Sequence, residues 1–379
     1  MIVKIGDVIS EYSVRNKFDE NIPVYSVTNE KGFCTGYFSK EVASKDKSTY
    51  KIVPRGYFAY NPSRINVGSV DWQKYEDRVI VSPLYVVFGV SDRLDRQYLL
   101  HYLKSDMMLS FIKEYATGSV RDNLKLADLG KLPINLRPVE EQRQIATTLD
   151  KIDDLIAKRR QQLDKLDELV KSRFIEMVGD CVVNPKGWKT KCLEDIAEVG
   201  SSKRVFIEEL QEAGIPFYRG TEVGALAEGK QISPELFITE EHYTELCKAT
   251  GAPQIGDLLM PSICPDGRIW VVNTEDPFYF KDGRVLWVHA IDNSYNPVFL
   301  LYTLKDRIMA DYSSIASGTT FAELKIFALK KCRIFDVPIA LQNEFAAFVA
   351  QTDKSKLAIQ KSLDKLEILK KALMQKYFG

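Results

Sequence analysis

Leu163-Asp164-Lys165-Leu166 recurs as Leu363-Asp364-Lys365-Leu366, two hundred residues further along a chain of 379. Holding that offset and reading backwards pairs Gln142 with Gln342, Pro138 with Pro338, Ile134 with Ile334 and Lys131 with Lys331. Leu124-Lys125 likewise faces Leu324-Lys325, and Gly118 faces Gly318, with no gap across the stretch. Further upstream the match loosens but keeps its order. Ile22-Pro23-x-Tyr25 faces Ile215-Pro216-x-Tyr218, Gly56 faces Gly256, and Tyr98-Leu99-Leu100 faces Phe299-Leu300-Leu301. A repeat of this length gives the architecture before any motif does. The chain reads as two divergent copies of one unit, each a variable globular part followed by a better-preserved helical part.

The helical part carries a heptad seam. Ile145, Leu149, Ile152, Ile156, Leu163, Leu166 and Val170 step alternately by four and three, with Arg159 filling the one missing place as a snorkelling side chain. Pro138 suits a first helical position, Glu140 and Glu141 suit the positive end of the dipole, and Gly179 suits a left-handed stop. These limits predict a helix of about 39 residues, roughly 58 Å long at ~1.5 Å per residue. A second helix is expected after Pro338, with Phe345, Val349, Ile359, Leu363, Leu366 and Leu373 on its stripe. Neither narrow stripe can be buried by its own helix, so an antiparallel pairing of the two into a coiled coil, about a pseudo-twofold, is the economical solution. Two unrelated dimerisation helices are the alternative.

Length supports two domains plus connecting structure. The expected boundaries are 1–138 for the first globular unit, 139–179 for the central helix, 180–337 for the second unit and 338–379 for the closing helix. Residues 1–138 hold short strand-like segments at 24–28, 57–60, 79–81 and 85–90, then a helical run over 96–115. Residues 180–337 repeat the plan with strands near 258–260, 269–273 and 285–289 and a helix over 297–312. The fold class is therefore α/β in the mixed α+β sense, two similar units joined by two long helices.

Composition narrows the function. At 45% apolar and 27% charged the chain is that of a globular protein, and 52 basic residues balance 52 acidic ones. A zero net charge confines any nucleic-acid surface to local patches. No apolar run is long enough to cross a bilayer and no leader segment opens the chain, so a cytoplasmic protein is expected. Six scattered cysteines show no zinc or redox spacing and are expected to be reduced and mostly buried. The three histidines, His101, His242 and His289, suggest neither a metal site nor a triad.

Two polar constellations stand out. Residues 60–68 combine a strand end and a turn: Tyr60, Asn61, Arg64 and Asn66 are the residue types that stack on or bond bases and phosphates, Asn pairing with adenine and Arg with guanine. Met260-Pro261-Ser262 and then Asp266-Gly267-Arg268 occupy the equivalent place in the second copy. A loop of Gly and hydroxyl residues precedes each long helix: Thr117-Gly118-Ser119-Val120-Arg121 and Ser317-Gly318-Thr319-Thr320-Phe321. Small residues admit a phosphate, and Ser119, Arg121 and Lys125, or Thr319, Thr320 and Lys325, can bond it. Lys203, Arg204, Arg219, Arg268 and Arg284 complete the basic candidates of the second copy. A fold-only polar turn and a loop that merely caps the next turn remain the plain alternatives.

The stretch from Gly118 to Asp153, with Asp128-Leu129, Leu132-Pro133-Ile134, Pro138, Glu140-Glu141-Gln142, Ile145-Ala146 and Leu149, resembles the central conserved region of type I restriction-modification specificity subunits. Residues 60–68 are similar to a turn in their target recognition domains, and Asn184-Pro185-Lys186-Gly187-Trp188 resembles the opening of the second such domain. The likeness runs from end to end. Phe321 stands where the first copy has Arg121, and Ala340-Leu341-Gln342 where it has Glu140-Glu141-Gln142, so the two loops are not equivalent residue by residue.

The resemblance implies that each domain reads one part of a bipartite DNA site in double-stranded DNA while the helix pair sets the spacer. It also implies two methyltransferase subunits and two restriction subunits as partners, which would hold S-adenosylmethionine, ATP and Mg, with no cofactor or metal in this chain and no membrane. The residues agree with that division. Asn61-Pro62 runs on into Ser63-Arg64, which is not the loop that holds a flipped adenine, and no phosphate-binding Gly-Lys-Ser/Thr loop exists. A diverged catalytic subunit and a protein-binding scaffold are the competing classes. The neutral charge favours the scaffold, and salt-dependent DNA binding would separate it from a DNA reader.

Overall fold

The computed structural model describes residues 1–36, 46–115, 123–318 and 322–379. The chain divides into two compact units, one of residues 1–161 and 359–379 and the other of residues 162–358. The two long helices, Val139–Met177 and Ile339–Phe378, each pass from one unit into the other and are therefore shared by both.

In the first unit a four-stranded antiparallel sheet has the order Ile9–Glu11, Val86–Val90, Phe58–Tyr60, Val70–Trp72. In the second unit the order is Glu198–Gly200, Val285–His289, Leu258–Pro261, Trp270–Val271, the same topology at equivalent positions. Each unit also ties its first strand to the segment just before a long helix, Ile2–Lys4 to Pro133–Asn135 and Thr190–Cys192 to Arg333–Phe335. The Ile-Pro-x-Tyr motifs occupy equivalent places as well: Val24 bridges Ile80 in parallel, and Ile215–Tyr218 pairs in parallel with Tyr279–Phe280. The sheets are thus mixed, as expected.

Differences from the expected elements are local. The helical run over 96–115 is two helices, Arg96–Leu103 and Asp106–Tyr115, because Ser105 turns its hydroxyl onto the Tyr102 carbonyl and interrupts the ladder. The second unit holds two helices, Gly220–Ala227 and Glu240–Thr250, that the repeat does not foreshadow. Of the six cysteines, all free, only Cys181, Cys264 and Cys332 are buried, so "mostly buried" overstates their packing.

The first core stacks Phe58 on Phe88, with ring centroids 5.0 Å apart, and closes over Tyr98 and Tyr102 with Phe378 from the end of the closing helix. The second core gathers Phe174, Phe299, Tyr302 and Phe345. Within the first unit the helices run antiparallel, with Asp153 against Lys370 and Arg160 against Glu367. Within the second the same direction holds, with Asp167 against Lys356 and Arg173 against Glu344. Ile145, Leu149, Ile152, Ile156, Val170 and Leu363 are buried. Leu163, Leu166, Ile359 and Leu366 are half-buried. Helix ends have a globular core to pack on, whereas the middle of a two-helix pair leaves its flanks in water.

Candidate DNA interface

In the first unit the strand Phe58–Tyr60 delivers the chain into the polar turn. Asn61 folds an Asx turn, its Oδ1 accepting the Ser63 N–H at 3.1 Å, and Gly68 closes the turn at φ 85. A side chain at Gly68 would be strained by that φ, and its Cβ would come within 2.6 Å of the Asn29 carboxamide oxygen. Arg64 is exposed and Asn66 half-exposed on this turn. The chain entering the short helix Leu126–Leu129 lies alongside, because Leu124 N–H donates to the Pro62 carbonyl at 3.2 Å and the Ser63 hydroxyl meets Asn123 at 2.7 Å. The fold therefore brings Asn61, Arg64, Asn66 and exposed Lys125 to one place. Asn123, two residues beyond the Gly-hydroxyl loop, joins them although the sequence reading passed over it.

Tyr60 is corrected. Its ring has no exposure, its hydroxyl donates to the Leu124 carbonyl at 3.0 Å, and burial pushes its phenol well above the ordinary range. It is a core residue that ties the turn to the following segment, because a strand end pointing into the sheet's packed face cannot also reach a groove.

The second unit repeats the juxtaposition with different chemistry. Leu324 N–H donates to the Ser262 carbonyl at 2.7 Å, as Leu124 does to Pro62. The candidate cations here sit opposite carboxylates. Arg284 pairs with Glu323, which also lies 3.5 Å from Lys325, and Arg204 pairs with Asp282 at 3.2 Å. Arg268 holds Asp266 at 2.8 Å beside Gly267, whose φ of 65 and close approach to Lys305 need glycine. Arg219 is engaged on both sides, by Glu222 and, at 3.2 Å, by Glu235. Burial alone would raise the Glu222 carboxyl, but bonds from the Arg219 guanidinium and backbone and from Thr221 outweigh it and hold the carboxyl at about 2. Arg219 thus builds a helix start. Lys203 is exposed, and Lys281, which the sequence reading missed, shares a shallow groove with Arg204 and Arg284. Ser119, Arg121, Thr319 and Thr320 lie outside the described residues.

Among the described residues no cluster of His, Cys, Asp and Glu could hold a metal ion, and no helix is long and apolar enough to cross a membrane. His101 serves structure, its Nε2 lying 2.7 Å from Asp150 on the central helix.

Comparison with known proteins bears on this arrangement. The model of the type I restriction modification DNA specificity domain matches residues 2–168 and again 185–369, one match per repeat. A protein described as a type I restriction enzyme specificity subunit from Haemophilus influenzae is 26% identical over 304 residues, covering 77% of this chain and 74% of that protein. The type I restriction enzyme MjaIX specificity subunit of Methanocaldococcus jannaschii is 28% identical over 312 residues, covering 75% and 68%. Among solved structures, a chain from work on complex assembly and conformational transition of the type I R-M system superposes with a TM-score of 0.58 at 17% identity, covering 100% of this chain and 97% of that one. The S subunit of M. genitalium gives 0.54 at 16% identity, covering 100% and 96%. With both repeats matched, the chain belongs to the type I restriction-modification DNA specificity family, a non-catalytic protein whose role is sequence-specific DNA recognition.

Proposed function

We propose that each unit reads one half of a bipartite site in double-stranded DNA and that the two long helices set the length of the unread spacer. The observation that carries this reading is the duplicated plan itself: the same sheet order, the same bonds from Leu124 and Leu324 to the polar turn and two helices shared between the units. Two copies of one reading surface with different side chains, Asn61 and Arg64 in one and Arg268 in the other, suit two different short sequences.

The partners in this reading are two methyltransferase subunits and two restriction subunits, in the cytoplasm. They supply S-adenosylmethionine, ATP and Mg; this chain binds none of them. Adding one heptad to each helix, between Gln161 and Gln162 and between Ala358 and Ile359, tests the role of the helices. The added length is about 10 Å, or about three base pairs. The expected result is a longer tolerated spacer with both half-site sequences unchanged. An unchanged spacer in a folded, DNA-binding variant contradicts it.

A further inference from the structure

The loop that follows the first strand of each four-stranded sheet carries an exposed apolar tip. Strand register makes the loops equivalent: Glu11 faces Phe88 as Val199 faces Val288, and Phe88 and Val288 in turn face Phe58 and Leu258. Counting on from there aligns Arg15 with Lys203, Asn16 with Arg204, Phe18 with Phe206 and Glu20 with Glu208. A buried residue roots each loop, Asn16 at 1% and Val205 at 6% exposure. At the aligned tip position a large apolar side chain stands in solvent, Phe18 at 87% and Phe206 at 57%, with Ile207 beside the latter at 79%.

These tips are held in place. Asn16 donates to the Glu20 carbonyl at 2.9 Å and accepts the Glu20 N–H at 3.0 Å, closing the first loop on itself. In the second, Ser201 and Ser202 hydroxyls donate to the Val285 and Phe280 carbonyls, each at 2.6 Å, and Glu209 accepts the Phe206 N–H at 2.7 Å. Glu20 is further neutralised by Arg78, and Asp282 by Arg204.

The tips also adjoin the basic face. Phe206 and Ile207 line one shallow groove with Arg204, Lys281 and Arg284, and Arg284 reaches Glu323 beside Lys325. In the first unit Arg15 bridges to Lys51, whose ammonium donates to the Tyr85 carbonyl at 2.6 Å. An anchored apolar side chain with cations on the same loop matches a DNA groove, where phosphates flank base edges and the thymine methyl is the apolar feature to be read.

We propose that Phe18 and Phe206 are specificity-determining residues that enter the major groove and contact thymine methyl groups, while Arg204, Lys281 and Arg284 hold the neighbouring phosphates. This rests on the reading of the chain as a two-half-site DNA binder. The test uses the chain assembled with its methyltransferase, on duplexes carrying the mapped site, with each thymine replaced in turn by uracil.

The unaltered protein should lose about fourfold in affinity at one thymine of each half-site, the worth of one buried methyl. Phe18→Ala and Phe206→Ala should each abolish that sensitivity in one half-site only. The inference is overturned if no single uracil weakens binding, or if both variants bind all sequences as the unaltered protein does while Arg284→Ala weakens binding, which would leave the broader reading standing. If the unaltered protein does not distinguish its mapped site from random duplex, the broader reading falls and takes the inference with it.

Discussion

Gln142 and Gln342, two hundred residues apart and both buried, make the same three hydrogen bonds in their respective units. Gln142 Oε1 accepts the Asp95 N–H at 2.8 Å, and its Nε2 donates to the carbonyls of Arg93 at 3.0 Å and Arg137 at 2.7 Å. Gln342 Oε1 accepts the Asn296 N–H at 2.9 Å, and its Nε2 donates to Ser294 at 3.0 Å and Val337 at 2.7 Å. Asp95 and Asn296 in turn cap the helices that begin at Arg96 and Pro297. One carboxamide thus fastens the start of each long helix to the helix that covers its sheet, which is why this residue survives where Glu140-Glu141 has become Ala340-Leu341.

Replacing either glutamine by Ala should cost about 2–4 kcal/mol, because one N–H and two carbonyls are left buried without partners. Denaturant unfolding checks this. The two variants should be destabilised to a similar degree, and a cost below about 1 kcal/mol for both would show the clasp to be dispensable.

Phe174→Ala should be more damaging than the loss of any interhelical ion pair. Phe174 is 1% exposed and meets Phe345 edge to face at 5.1 Å, so its removal should cost about 3–5 kcal/mol. Arg160→Ala, which breaks an exposed pair with Glu367, should cost about 1 kcal/mol or less.

The Arg219–Glu222 pair makes a pH prediction. Because the folded carboxyl sits at about 2, below the ordinary carboxylate range, its contribution is whole above about pH 5 and is lost as the pH falls toward 2. Glu222→Gln should therefore be less stable by roughly 1 kcal/mol at pH 7, allowing for solvent screening, and the gap should narrow steadily in acid. A gap that stays constant from pH 7 to pH 2.5 would show that the charge contributes nothing.

On DNA, Asn61→Ala or Arg64→Ala should relax preference at one half-site by about 1–3 kcal/mol, whereas Lys125→Ala should weaken all sequences alike. Arg219→Ala should leave base preference intact and lower stability, since both faces of its guanidinium are taken by Glu222 and Glu235. Competition binding with specific and random duplexes distinguishes these cases.

The long helices and the duplication were legible because heptads, helix-start prolines and an ungapped repeat are one-dimensional signals. The central helix begins and ends where Pro138 and Gly179 place its limits. The helix Glu240–Thr250 was not legible, since it packs a single buried leucine, Leu246. At the site the turn was visible, but its adjacency to Leu124 and Leu324 depends on backbone bonds at Pro62 and Ser262 that no spacing encodes. Tyr60 misled because residue type announces a possible stacking ring, whereas only the pleat decides which face it takes. The exposed tips at Phe18 and Phe206 escaped notice for the opposite reason: a lone apolar residue in a polar loop has no sequence pattern, and its equivalence across copies rests on strand register.

Methylome sequencing of cells carrying this chain with its methyltransferase tests the two-reader account most directly. The account predicts methylated sites made of two unlike short sequences separated by a spacer of fixed length and arbitrary sequence, with Asn61→Ala or Arg64→Ala altering one of the two and Arg268→Ala the other. A single uninterrupted recognition sequence, or both halves changing together in each variant, would contradict it.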